Sequence, residues 1–330
     1  MPALIPTMRS TSTTGSPGFD GRPARIFTFW EPRGAITPYL RLCLRTWEKV
    51  LGAHEIIVLN YANLGDWLEG AHYARDVFRR LTLQVQKDAI MVDVLRRHGG
   101  VFMDLDTIAV ADIAPLLRAV GSSELAMFAA HMAVLVARPD ARILQLWGDR
   151  IEEKLAELAR GPWPEKVPWD FTGNSVYAEA LEALIDRHED KPLLMAMADR
   201  AVAGLKSWRA PAGSTLTSLR DRVLRRVLRR RRALYFKGPY RKYVIELDRY
   251  GLGFMPELLY HAAQKCEPLL NYQQYWFKSD AALDTALLPR QVLIGLHNSW
   301  TPVWYQRLSE AEVLAHPCLL SRTLKHLLER

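Results

Sequence analysis

The sequence predicts an α/β fold, a mainly parallel central sheet flanked by helices, and three observations predict it. An apolar strand-like run, RIFTFW at 25–30, is followed by a helical stretch and then by the β-branched run EIIVLN at 55–60. Strand, helix, strand at this spacing forms parallel pairs. A second helical stretch stops at His98-Gly99-Gly100 and runs into the short apolar strand 101–103. Apolar residues make up 49% of the 330, with ten Trp, enough to bury a large core without staples.

The elements follow in order. A Ser/Thr/Pro/Gly-rich leader over 1–24 has no apolar core long enough for a secretory signal. After the first strand come a Pro/Gly loop, a helix over about 38–50 and the second strand. Residues 66–98 read as helix in two pieces, ended by glycines that take the left-handed conformation without steric cost. LAMF and AVLVA, around 125–137, form a strand pair. A helix over 140–160, a Trp/Pro-rich loop over 162–169 and a helix from Thr172 to about Ile185 follow. Strand-like pieces return at YVIEL, LGFM and VLIGLH. Ser309 and Glu312 have capping-box spacing, so a C-terminal helix is expected over 309–330. A single domain over 25–308 therefore precedes that helix.

Three cysteines, Cys43, Cys266 and Cys318, lie far apart with no metal-ligand spacing, which suits buried thiols in a reducing compartment. No apolar run approaches the roughly 18–20 residues that span a bilayer. The expected location is cytoplasmic.

Asp104 and Asp106 sit at i and i+2 directly after an apolar strand, and strand alternation would put both on one face. Two carboxylates so close repel unless a cation neutralises them. Oxygen ligands with an incomplete shell suit Mn²⁺ or Mg²⁺, with phosphate oxygens completing the coordination. A solvated acidic turn would show the same pair. Asp88 shares a helical stripe with Val85, Val92 and Leu95, and a carboxylate on an apolar stripe needs a partner or a task.

QKDAIMVDVLRRHGGVFMDLDTIAV resembles the signature of glycosyltransferase family 32, the sugar-binding region with a D-x-D motif, and FTFWEPRGAITPYLRLCLRTWEKVLGAHEIIVLNYANL is similar to its bacterial capsular polysaccharide branch. The resemblance covers about 25–190 well and thins toward 305. It implies a GT-A-like nucleotide-sugar-binding fold and retaining transfer from a UDP- or GDP-linked sugar to a glycan or lipid-linked acceptor. It also implies front-face attack assisted by the leaving diphosphate. By the same resemblance Trp30 packs on the nucleotide base, Asp88 contacts the nucleotide or donor sugar, and Asp104 and Asp106 hold ribose and metal. In LIGLHNSWTPVW, His297 would complete the metal shell or touch the diphosphate, and Trp300 would close over it. FTGNS stands where the family has a T-G-P element near the sugar, with Asn174 in place of the proline. The family's arginine, three residues after the helix aspartate, is here Met91, so another base such as Lys87, Arg96 or Arg97 must serve or donor handling differs.

The charge of +8 is uneven. Residues 205–242 hold thirteen Lys or Arg and one Asp, a local +12, so the remainder carries about −4. Within this basic insertion, LRDRVLRRVLRRRR from Leu219 to Arg232 sets Leu219, Val223, Leu224, Val227 and Leu228 on one helical stripe. Such a helix lies on an anionic membrane surface, at about 1 kcal/mol per basic residue, which would place the protein peripherally on the inner face of the plasma membrane. A solvated helix, or one binding an acidic partner, reads the same way. No nucleic-acid module accompanies it. Two other functions share these features. A haloacid-dehalogenase-type phosphatase also sets D-x-D after a strand, but Ile108 holds the place of its Thr or Val and Thr107 comes one residue too early. A non-catalytic, membrane-docked nucleotide-sugar-binding protein would tolerate Met91 and Asn174.

Overall fold

The computed structural model describes residues 23–68, 76–120, 123–128, 131–186, 244–246, 272–278, 280–287 and 291–330, with seven isolated positions between 197 and 223. Residues 1–22 of the leader, the LGFM piece, Cys266 and, apart from Val223, the basic stretch from Leu219 to Arg232 lie outside the described residues.

The fold is α/β. Strands β1 (Arg25–Phe29), β2 (Glu55–Leu59), β3 (Gly100–Met103), β5 (Leu125–Phe128), β6 (His131–Ala137) and β7 (Val244–Glu246) form one sheet in the order β2-β1-β3-β6-β5-β7. β1 pairs in parallel with β2 and β3, and β5 with β7, while β6 runs antiparallel to both of its neighbours. The sheet is therefore mainly parallel, with β6 as its reversed strand.

Period-2 alternation divides the strand residues between two apolar layers. Phe27, Phe29 and Phe102 join helices α4 (Leu83–His98), α6 (Arg142–Arg160) and α7 (Asn174–Asp186) on one face. Ile26, Val101 and Met103 meet Trp47 of α1 (Pro38–Val50) and the apolar side of α5 (Ala114–Val120) on the other. Between β2 and α4 the described residues hold two short helices, α2 (Leu64–Trp67) and α3 (Asp76–Arg79), so among them the expected two helical pieces are three. A third apolar cluster joins α1 to residues near the C-terminus and to Leu105 and Ile108. Cys43 and Cys318 are free and buried in it.

Gly99 ends α4 with φ 61° and its N–H on the Leu95 carbonyl, and Gly100 follows at φ 104°. A side chain on Gly100 would lie 2.5 Å from the Arg25 carbonyl oxygen. Glycine here lets the chain reverse at close range and deliver β3 beside β1.

Other elements differ from their expected form. Asp104 and Asp106 do not continue the strand. β3 ends at Met103, the Thr107 N–H bonds the Asp104 carbonyl at 3.0 Å, and the pair sits on a tight turn. α4 is buried around most of its circumference, including Ile90, Met91 and Val94, and not along one stripe, because α6 and the sheet both pack on it. VLIGLH does not join the main sheet. Its β8 (Leu293–Gly295) pairs antiparallel with β4 (Thr107–Ala109) in a separate two-stranded sheet. The C-terminal helix over 309–330 is two helices, preceded by the short α8 (Val303–Gln306). α9 (Glu310–Ala315) begins with the expected Ser309–Glu312 capping box, and α10 (Leu319–Glu329) follows. Pro317 separates them, since proline forces His316 into extended backbone at ψ 138° and cannot donate to a helix. Among the described residues no helix is long and apolar enough to cross a membrane.

Candidate active site

The neighbouring parallel strands β2, β1 and β3 end at Leu59, Phe29 and Met103, so Tyr61, Trp30 and Asp104 emerge on one sheet edge. In open α/β sheets the C-terminal strand edge is where ligands bind. Helix α4 flanks this edge and adds two consecutive side chains. The Lys87 ammonium lies 2.7 Å from Asp104 Oδ1 and 3.3 Å from Asp88 Oδ1, with only 18% of its side chain exposed.

Asp88 is 4% exposed. Burial pushes its carboxyl up to about 6, with Lys87 pulling the other way. The chain crosses it tightly at Gly173, where a methyl would fall 2.7 Å from Asp88 Oδ2. Thr172 fixes that crossing. Its hydroxyl donates to the Val85 carbonyl at 2.7 Å, and its own carbonyl accepts the Trp147 indole N–H at 2.9 Å. Asp106 is raised above the ordinary carboxylate range by burial and by the Asp104 charge. Burial works against the Lys87 ammonium, but Asp104 and Asp88 outweigh it and hold its pKa above the ordinary lysine value. Three carboxylates and one ammonium leave the cluster two charges negative when all are ionised.

The chain returns to this cluster near its C-terminus. The Asn298 N–H donates to Asp106 Oδ2 at 2.6 Å, and the Leu296 N–H to the Asp106 carbonyl at 2.9 Å. The Tyr39 hydroxyl, on α1, donates to Asn298 Oδ1. Burial and the Asp106 charge keep Tyr39 protonated, so it remains a donor. The His297 N–H bonds the Tyr272 oxygen at 3.1 Å, and its ring lies 4.2 Å from the Trp300 ring. Burial lowers the His297 pKa to about 4, so the imidazole is neutral near pH 7.

Asp88, Asp104 and Asp106 therefore come together. Trp30 stands at the same edge, its indole N–H buried without a hydrogen-bond acceptor among the described residues. Asn174 opens α7 directly after Gly173. Trp300 is half-buried against His297 and Tyr272. Among the described residues no three His, Cys, Asp or Glu side chains converge as a metal ligand set. Met91 is fully buried in the apolar layer. It faces away from solvent, and the cation at the cluster is Lys87, four residues earlier. Arg96 serves elsewhere, 2.6 Å from Asp93. Tyr39, Asn298 and Gly173 are site residues that no single sequence signal marks as such, although Asn298 and Gly173 fall inside HNSW and FTGNS.

Fold and site together define an α/β protein with an acid-rich ligand edge. No family model matches the chain, and no curated protein matches it in sequence. Solved structures similar to it include the PaToxG glycosyltransferase, at 16% identity and a TM-score of 0.36 over 64% of this chain and 87% of that one. The glycosyltransferase GlyE of Streptococcus pneumoniae TIGR4 is similar at 14% identity and a TM-score of 0.26, over 56% of this chain and 50% of that one.

Proposed function

We propose that the protein is a metal-dependent, retaining glycosyltransferase of GT-A-like fold. It moves a sugar from a UDP- or GDP-linked donor to a hydroxyl of a glycan or lipid-linked acceptor, in bacterial surface polysaccharide synthesis. The observation that supports this best is the Asp88–Lys87–Asp104–Asp106 cluster on the C-terminal edge of parallel strands, beside Trp30. The edge supplies an aromatic surface for a base and an acidic centre for a cation-bound diphosphate.

The donor set fits Mn²⁺ or Mg²⁺. Lys87 occupies Asp104 Oδ1 and Asn298 occupies Asp106 Oδ2, which leaves Asp104 Oδ2 and Asp106 Oδ1 outside these bonds. A divalent cation would also relieve the Asp104 repulsion that adds to burial in raising Asp106. Asp104 and Asp106 would hold it, with diphosphate oxygens and water filling its shell, and His297 stays a candidate ligand by residue type. Bound there, the metal would stabilise charge on the departing diphosphate. In the transfer, the acceptor oxygen bonds the anomeric carbon as the bond from that carbon to phosphate oxygen breaks. The acceptor proton passes to the departing phosphate, and attack from the leaving group's face keeps the configuration. Asp88 orients the donor, and Trp300 covers it. The basic stretch from Leu219 to Arg232 favours an acceptor presented at an anionic membrane surface.

The test is turnover of UDP- and GDP-sugars with Mn²⁺. Asp106→Asn is expected to lower the rate about 100-fold or more while the protein stays folded. A wild-type protein that neither turns over nor binds any nucleotide sugar overturns the proposal. One that binds but never turns over is the non-catalytic binding protein instead.

A further inference from the structure

Lys87 stands out because its ammonium is held between two carboxylates at the mouth of the site. Asp104, its nearer partner, keeps 23% of its side chain exposed, so the contact borders solvent. Asp88, the farther one, is enclosed by the Gly173 crossing. On the same helix, Met91 on the next turn is in the core and Arg96 is held by Asp93. A lysine is a point charge on a flexible four-carbon stem, able to exchange one anionic partner for another without moving its backbone.

We infer that Lys87 exchanges partners. In the free protein it neutralises Asp104, and when a ligand arrives it turns its ammonium onto the ligand's diphosphate while a divalent cation takes over Asp104. The inference rests on the nucleotide-sugar reading and adds to it a diphosphate-binding residue that also competes with the metal. The charge balance supports it. With Lys87 in place and all three carboxylates ionised, the cluster stands at two negative charges, matched by one divalent cation. The arriving diphosphate then needs a positive group, and Lys87, displaced from Asp104, is adjacent. Phosphate binding by a lysine point charge is a common use of this side chain.

The experiment measures, by calorimetry, Mn²⁺ alone and UDP or GDP alone in EDTA, on wild type, Lys87→Met and Lys87→Arg. A charge-assisted hydrogen bond to phosphate corresponds to about 10- to 100-fold in affinity. Lys87→Met is expected to weaken metal-free UDP or GDP binding by that factor and to tighten Mn²⁺ binding several-fold. Lys87→Arg is expected to keep most of the nucleotide affinity. The opposite signs separate this role from a structural one, which would weaken both ligands together. If wild type binds nucleotide and Lys87→Met binds it equally well, the inference is wrong and the glycosyltransferase reading stands. If Lys87→Met loses both ligands, or fails to fold while Lys87→Arg loses nucleotide binding, Lys87 is structural. If wild type binds neither nucleotide with or without metal, both readings fail.

Discussion

Replacing Gly173 by alanine tests how tightly the chain crossing holds Asp88. The new methyl would stand 2.7 Å from Asp88 Oδ2, 3.5 Å from Met132 Sδ and 3.7 Å from Asp170 Cα. A carbon–oxygen contact below 3.0 Å does not persist, so the carboxylate must move by about half an ångström, and it is buried on its other sides. Such a shift disturbs the 3.3 Å contact between Asp88 Oδ1 and the Lys87 ammonium. Overpacking of this kind costs about 1–3 kcal/mol. Loss of glycine freedom in the unfolded chain offsets about 0.4–1 kcal/mol. A net destabilisation of about 1–2 kcal/mol remains, a fall in Tm of a few degrees. Gly65, with nothing within 4 Å of its would-be Cβ, is the control, and Gly65→Ala should raise Tm slightly. Scanning fluorimetry of both variants, with nucleotide-sugar calorimetry on Gly173→Ala, gives the signs. Affinity in Gly173→Ala should fall about tenfold. A Gly173→Ala protein that melts at or above wild type and binds donor equally would refute the reasoning.

Other perturbations read other parts of the site. Tyr39→Phe keeps the ring but removes the donor to Asn298 Oδ1, and should cost about 1 kcal/mol in denaturant unfolding while lowering Mn²⁺ affinity through a looser Asp106. An Asp88 carboxyl raised to about 6 when folded favours the protonated form, so its contribution to stability is full below about pH 4 and is lost as pH rises through about 6. Asp88→Asn should therefore gain on wild type by about 3 kcal/mol between pH 4 and pH 7.5, measured by chemical denaturation at both pH values. His297 acts oppositely. Its pKa, lowered to about 4, withdraws stability as pH falls from about 6.5 to 4, and His297→Gln should remove that acid-side loss. Mn²⁺ should raise Tm more at pH 7.5 than at pH 5.5, because the raised Asp106 must lose its proton to bind metal.

Parts of this arrangement were legible from local chemistry. β1 and β2 announce themselves by β-branched and aromatic runs, and Gly99-Gly100 marks a reversal that only glycine makes without strain. These features place Trp30 and Asp104 on one edge before any packing is known. Met91 was legible only as a gap. A helix position reads as missing a cation until its burial shows that it faces the core, and that the neighbouring Lys87 faces the site. The bond from Asn298 to Asp106 spans 192 residues, and no local pattern encodes it. It depends on β4 and β8, three-residue strands too short to show a period, and on the cluster that seats Tyr39 and Tyr272. Strand alternation carried past Met103 sets the acidic pair on one face, whereas the Thr107 N–H closes a turn on the Asp104 carbonyl.

The central claim is that the acid-rich edge binds a nucleotide sugar through a divalent cation. Thermal denaturation across a panel of UDP- and GDP-sugars, with and without Mn²⁺, tests it most directly, because a ligand that binds only the folded state raises Tm by mass action. One base and sugar are expected to raise Tm selectively, Mn²⁺ to enlarge the shift, and Asp106→Ala to abolish the Mn²⁺-dependent part. A wild-type melting curve that no donor moves, with metal or without, would contradict it.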